Sequence, residues 1–311
     1  MSGPQRSPEL SKRQADIREA MVGLLARAGL EYRGGFVEAG GRLIHYLDYG
    51  PETGRAGDEN TLLLIHGAGA GSAVWFRQIS ALSKQFRVIA PDNPLFGLSA
   101  QQAATSPLED FTTEYLVSFM DCLGLRRVNL AGLSMGGLGC LFLALHHPDR
   151  VSRLAVLGSA GLGTDMPWVF RMISVPGLSN LFTMPIRTMH GSYFSSHEVA
   201  RPDGPHSEAF KHYAFTIGRN DGHGAALRQS VKVVTDLRGQ RRLLSDDELA
   251  GVRAPTLIIW GGKDRFFPVS HAHRAARLIP NSSLRVLPDA GHVSPWDEPE
   301  QVSGLLAGFF S

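Results

Sequence analysis

Ser134 has the sequence neighbours of a nucleophile. It lies in Val-Asn-Leu-Ala-Gly-Leu-Ser-Met-Gly-Gly, residues 128 to 137. The apolar run Val128 to Ala131 predicts a strand and Met135 to His147 a helix, which puts Ser134 on the sharp turn between them. Glycines stand two before and two after the serine because strand and helix pass so close there that a Cβ would not fit. A serine hydroxyl attacks poorly without a base, and the base needs a carboxylate to hold its ring. Twelve histidines are available, but in a parallel sheet the reacting groups leave the carboxyl ends of strands. His292, in Asp289-Ala290-Gly291-His292, follows the last predicted strand. Asp264, in Gly261-Gly262-Lys263-Asp264, follows the strand Thr256 to Trp260. Chain order is therefore Ser, Asp, His, with Asp165 as the reserve acid. An oxyanion needs two N–H donors. Met135 supplies one at the helix N-terminus, and Ala68 in the loop His66 to Gly71 supplies the other, with Gly69 as its fallback. His66 is expected to brace that loop. The chemistry these residues can do is acyl transfer through a serine ester.

Other chemistries are excluded on spacing. The loop after Thr61 to Ile65 reads G-x-G-x-G, and no acidic residue follows at ribose distance, so it is no dinucleotide fingerprint. His146 with His147 and His271 with His273 are not i, i+4 pairs, so neither a metal nor any other cofactor is expected. A net charge of +2 without a basic stripe argues against nucleic acid, and no apolar run approaches the roughly 18 residues of a membrane span. Cys122 and Cys140 fall among apolar residues of predicted helices and read as reduced core thiols, which fits the cytoplasm.

The elements that must position these groups alternate. A hairpin (Phe36 to Glu38, Arg42 to Tyr49) precedes short apolar runs at Thr61 to Ile65, Arg87 to Ala90, Val128 to Ala131, Arg153 to Leu157, Thr256 to Trp260 and Leu284 to Leu287. Helical stretches at Ser72 to Ser83, Phe111 to Leu123, Met135 to His147 and Pro268 to Leu278 separate most of them. This predicts an α/β fold, a mostly parallel eight-stranded sheet with helices on both faces. Residues Met1 to Pro8 read as frayed, and Pro51 to Asn60 as a polar loop. Ile17, Met21, Leu24, Leu25 and Ala28 recur at helical spacing in an amphipathic N-terminal helix. Between residues 161 and 250 the alternation gives way to Met, Trp, Phe and Tyr with Pro and Gly between, among them Met166, Phe170, Phe182, Met184, Met189, Tyr193, Phe194, Phe210 and Tyr213. Gly224 to Leu237 there reads as helix. The segment is expected to be a helical cap inserted after strand six. Substrate would then lie between cap and core, against Gly67, Gly69, Leu133 and Val293 from the core and Trp168 and Met172 from the cap.

With these residues in place the chain resembles the α/β-hydrolase family from about Phe36 to Phe310. The resemblance rests on His66-Gly67, the segment Asp92 to Ser99, Ser134-Met135-Gly136-Gly137, Asp264 and Gly291-His292. Beside the N-terminal helical extension over residues 1–30, it implies a hydrolase core over 31–160 and 251–311 and a cap over 161–250. Within the family the cap position and the Ser-Met-Gly-Gly run look like the meta-cleavage-product hydrolases, which split carbon–carbon bonds of ring-fission products, and like carboxylesterases close to them. The carbon–carbon group usually has Asn before the nucleophile and Trp after the histidine, where this chain has Leu133 and Val293. Leu95 also replaces a usual glycine. Ester hydrolysis is the expected activity, with a small-molecule ester of a small or aromatic acid as substrate. Carbon–carbon hydrolysis is the alternative, and a non-catalytic ligand receptor on the same fold the alternative of another class. A homodimer stays open.

Overall fold

Eight strands form one sheet: β1 (Gly34–Ala39), β2 (Arg42–Tyr49), β3 (Thr61–Ile65), β4 (Arg87–Pro91), β5 (Val128–Leu133), β6 (Val151–Leu157), β9 (Thr256–Gly261) and β10 (Ser282–Leu287). Their spatial order is β1-β2-β4-β3-β5-β6-β9-β10. The six strands from β4 to β10 pair in parallel, while β2 joins both β1 and β4 antiparallel. The computed structural model describes residues 8–51, 60–99, 107–175, 177–178 and 207–311. The expected loop at 52–59, the frayed start at 1–7 and the cap residues Phe182, Met184, Met189, Tyr193 and Phe194 lie outside the described residues.

All five residues of β3 and all six of β5 are buried, as strands covered on both faces must be. Alternation along β3 divides its side chains between two cores. Leu63 and Ile65 join the core under α3 (Leu108–Cys122) and α4 (Met135–His146), through Tyr115, Phe119 and Leu138. Leu62 and Leu64 join the opposite core, under α1 (Lys12–Arg27), α2 (Phe76–Leu82) and α11 (Pro299–Phe310), through Ile17, Phe76, Ile79 and Val302. Helices therefore cover both faces. The helix expected over Ser72 to Ser83 begins instead as a 3₁₀ turn, Ser72–Trp75. The N-terminal helix is real, opened by a capping box in which Ser11 and Gln14 bond each other's backbone N–H.

Between β6 and β9 runs an insertion containing α5 (Trp168–Ile173), α6 (Ser207–Gly218), α7 (His223–Val234), the two-stranded ribbon β7 (Thr235–Asp236) and β8 (Gly239–Gln240), and α8 (Asp246–Ala250). The helix expected to reach Leu237 stops at Val234 because the ribbon takes over the chain. That ribbon ties the two ends of the insertion together. Gln240 N–H donates to Thr164 O at 2.8 Å, and the Gln240 side-chain oxygen accepts from Gly161 N–H at 2.7 Å. α1 packs along α6 and carries Arg13, which bonds Asp221 and, at 3.0 Å, Arg219 O. Of the cysteines, Cys140 is buried as expected, but Cys122 is exposed near the end of α3. Its thiol donates to Glu38 O at 3.1 Å, so the core-thiol reading is corrected there: α3 ends beside β1, the edge strand, which leaves the thiol uncovered. Among the described residues no helix is long and apolar enough to cross a membrane.

Candidate active site

The turn at Ser134 is as sharp as its glycines require. Ser134 has φ +56° and ψ −119°, a backbone that side-chain-bearing residues rarely adopt and that persists where the surroundings impose it. A Cβ on Gly132 would lie 2.5 Å from Gly136 O, and one on Gly136 2.4 Å from Ile65 O. The strand, the turn and the helix N-terminus thus approach each other so closely that no Cβ fits between them. Backbone bonds hold the turn on both sides: Ser134 N–H donates to Leu157 O at 2.9 Å, and Ser134 O accepts from Leu138 N–H at 3.2 Å and Ala160 N–H at 3.1 Å. Met135 is the first residue of α4, so its N–H is among those a helix leaves without an intrahelical acceptor.

His292 and Asp264 meet although 28 residues separate them. His292 Nδ1 lies 2.9 Å from Asp264 Oδ2, and a carboxylate can only accept, so Nδ1 carries the proton and donates it to the bond. Nε2 is then the unprotonated nitrogen of the ring. The other carboxylate oxygen, Oδ1, accepts from Phe266 N–H at 2.7 Å and Phe267 N–H at 2.9 Å, so both oxygens are bonded. The Asp264 side chain is wholly buried. The ring of Phe266 stacks on His292 at 4.7 Å, and Phe267 meets it edge-on at 5.2 Å. These two phenylalanines escaped the sequence reading; the signal present was their place within three residues of the carboxylate. The reserve acid Asp165 lies elsewhere, 3.5 Å from His271, with its side chain 67% exposed.

Ser134, Met135, Ala68 and His292 line one cavity of about 140 Å³, close to the roughly 150 Å³ that admits benzene in an engineered apolar void. Gly67, Gly69, Leu133 and Val293 line it too. Trp168 and Met172 do not. Trp168 is 66% exposed, and helical spacing puts Phe170 on the opposite face from both. Phe170 faces the cavity together with Met166, and α6 and α7 add Phe210, Tyr213, Leu227 and Val231. Which residue of a short helix faces inward is a matter of how that helix docks, and two residues of shift reverses the answer.

The loop carrying Ala68 is braced from below. His66, fully buried, accepts from Asn93 N–H at 2.8 Å through Nε2 and donates from Nδ1 to Gly67 O at 2.7 Å. Burial lowers its pKa, and a neutral ring is what this pair of bonds needs. Asp92, also buried, accepts from Ser72 N–H at 2.5 Å, Leu98 N–H at 2.8 Å and His45 Nδ1 at 2.8 Å. Burial alone would raise its pKa; His45 and these hydrogen bonds overcome that and bring it down to about 2. Among the described residues no group of three His, Cys, Asp or Glu could hold a metal ion.

One more histidine reports on the insertion. His223 opens α7 at 4% exposure, with Nδ1 unpartnered among the described residues and the ring edge-on to Phe96 at 5.8 Å. A Cβ on Gly69 would lie 3.9 Å from its Nε2, so it packs on the loop after β3. Burial lowers its pKa to about 4. The unfolded chain, with its histidine near the reference value of about 6.5, then binds more protons than the folded one between those two values, so stability rises with pH across that window. Between pH 7 and pH 4, chemical denaturation is expected to show the wild type losing about 3 kcal/mol more than His223→Leu loses. Equal losses in the two proteins would contradict a neutral buried His223.

A family profile described as the alpha/beta hydrolase fold matches residues 60–299. The chain is 32% identical over 272 residues to a Pseudomonas putida protein named dihydrolipoyllysine-residue acetyltransferase component of acetoin cleaving system, spanning 88% of this chain and 68% of that one. It is 30% identical over 278 residues to the 2-hydroxy-6-oxononadienedioate/2-hydroxy-6-oxononatrienedioate hydrolase of Paraburkholderia phymatum, spanning 86% and 90%. Among solved structures, carboxylesterase CesB (YbfK) from Bacillus subtilis shares the fold with a TM-score of 0.77 at 22% identity, over 96% of this chain and 98% of that one.

Proposed function

The chain belongs to the α/β-hydrolase family, and from that premise we propose that it hydrolyses carboxylic esters of small or aromatic acids through an acyl-serine. Ser134 attacks the carbonyl while His292 Nε2 takes its proton and Asp264 holds the ring. Ala68 and Met135 N–H bind the oxyanion, each such donor contributing about 2.7 to 4 kcal/mol. His292 then protonates the leaving alcohol, and water repeats the cycle on the acyl-enzyme. The insertion over residues 161–250 acts as the cap, closing the apolar side of the cavity with α6 and α7.

The observation that carries this choice over carbon–carbon hydrolysis is the cavity wall. Leu133 and Val293, which flank the nucleophile and the base in sequence, offer no side-chain hydrogen bond, and no Lys or Arg is among the described lining residues. A dienoate brings a carboxylate into the site and must be protonated on carbon before its acyl group is cleaved, which calls for polar groups beside the triad. An ester needs neither. Measured on one preparation, kcat/KM for short aryl or alkyl esters is expected to exceed that for ring-fission dienoates by at least about 100-fold, or about 2.7 kcal/mol. A dienoate rate equal to the ester rate would turn the assignment over to the carbon–carbon reaction. No turnover of a short chromogenic ester or of a dienoate would leave a ligand receptor.

A further inference from the structure

Behind the oxyanion side of the site lies a second cavity, also of about 140 Å³, between the loop that follows β4, α3 and α7. Two residues, Met135 and Ser230, line both cavities. The wall of the second is chiefly carbon, from Ile65, Leu95, Phe96, Leu108, Phe111 and Val233. Two of its polar side chains are already engaged: Tyr115 OH donates to Asn93 Oδ1 at 2.5 Å, and Asn93 Nδ2 donates to His66 O at 2.7 Å. Thr112, Gln229 and Ser230 also line it, but most of the wall offers only carbon, and an apolar ligand would fill space there that water occupies poorly. Leu95 adds an independent observation. Its backbone sits at φ +81°, where a leucine is strained and a glycine would not be, yet its side chain is 6% exposed and forms part of this wall. Backbone strain kept at a cavity wall points to a wall whose shape matters.

We infer that the second cavity is a subsite for the far end of a substrate's hydrocarbon arm, and that the Met135 side chain is the partition the arm must pass. The inference rests on the ester hydrolysis proposed above and extends its substrate class from small or aromatic acids to esters with an extended, unbranched arm. Met135 suits the role because its side chain is unbranched and adaptable, and because its own N–H places it beside the carbonyl from which the arm departs.

The test is the ratio of kcat/KM for a long over a short ester, decanoyl over butyryl, in the wild type, Met135→Ala and Val233→Trp. A parallel series of acetate esters of long and short alcohols tells whether the arm is the acyl chain or the alcohol. Met135→Ala keeps the backbone N–H and opens the partition; Val233→Trp fills the second cavity from α7. Each methylene admitted to an apolar site is worth about fourfold. The long-to-short ratio is expected to rise at least tenfold in Met135→Ala and to fall at least tenfold in Val233→Trp, in one of the two series. If Val233→Trp does not fold, the rise in Met135→Ala decides alone. Esters turned over with the ratio unmoved within threefold would overturn the subsite and leave the esterase reading standing. No ester turned over by the wild type would overturn both at the level of the activity itself.

Discussion

Ser134→Ala is expected to lower ester turnover by roughly 10⁶-fold without unfolding the protein, since residues that act as one unit in acyl transfer lose nearly everything when the nucleophile goes. The substitution is clean here for a structural reason. Three hydrogen bonds hold the turn through the Ser134 backbone, its N–H to Leu157 O and its O from Leu138 and Ala160 N–H, and alanine keeps all three. Serine and alanine both carry a Cβ, so the positive φ of +56° strains them alike. Circular dichroism and a thermal melt should match the wild type while hydrolysis of a chromogenic ester disappears. Activity within tenfold of wild type in the purified variant would remove Ser134 from the reaction.

Asp264→Asn should cost roughly 10⁴-fold in kcat, and the structure says why an amide fails where a carboxylate works. Oδ1 receives two backbone N–H groups, from Phe266 and Phe267. An asparagine in this place must keep its carbonyl oxygen on those donors, which turns its NH₂ toward His292 Nδ1. Facing a donor, Nδ1 must give up its proton, and the imidazole moves to the tautomer with Nε2 protonated. That nitrogen can no longer accept the serine proton. Asp165→Asn is the control, because its exposed side chain pairs with His271; it should stay within a few-fold of wild type. Reversed results for the two variants would mean that the acid is misassigned.

Features governed by local rules could be read from the order of residues alone. Alternation of short apolar runs with helical stretches is enough to require a covered parallel sheet, and the runs at Thr61–Ile65 and Arg42–Tyr49 end where the strands end. Gly132 and Gly136 around Ser134 announce a turn too tight for a Cβ, and Asp264 and His292 could be selected because loops at the carboxyl ends of parallel strands converge. Whatever depends on docking came from the packing of distant segments. It brought Phe266 and Phe267 against His292, set Asp92 and His45 under the loop after β3, and turned Phe170 rather than Trp168 and Met172 into the cavity. It laid α1 along α6, and it put Met135 and Ser230 on the walls of two cavities. The division has one physical origin. Backbone sterics and hydrophobic period act over a few residues and are written in order along the chain. The rotation of a short apolar helix is set by which of several similar faces buries best against a surface assembled from distant segments, and those energies differ too little to be read one residue at a time.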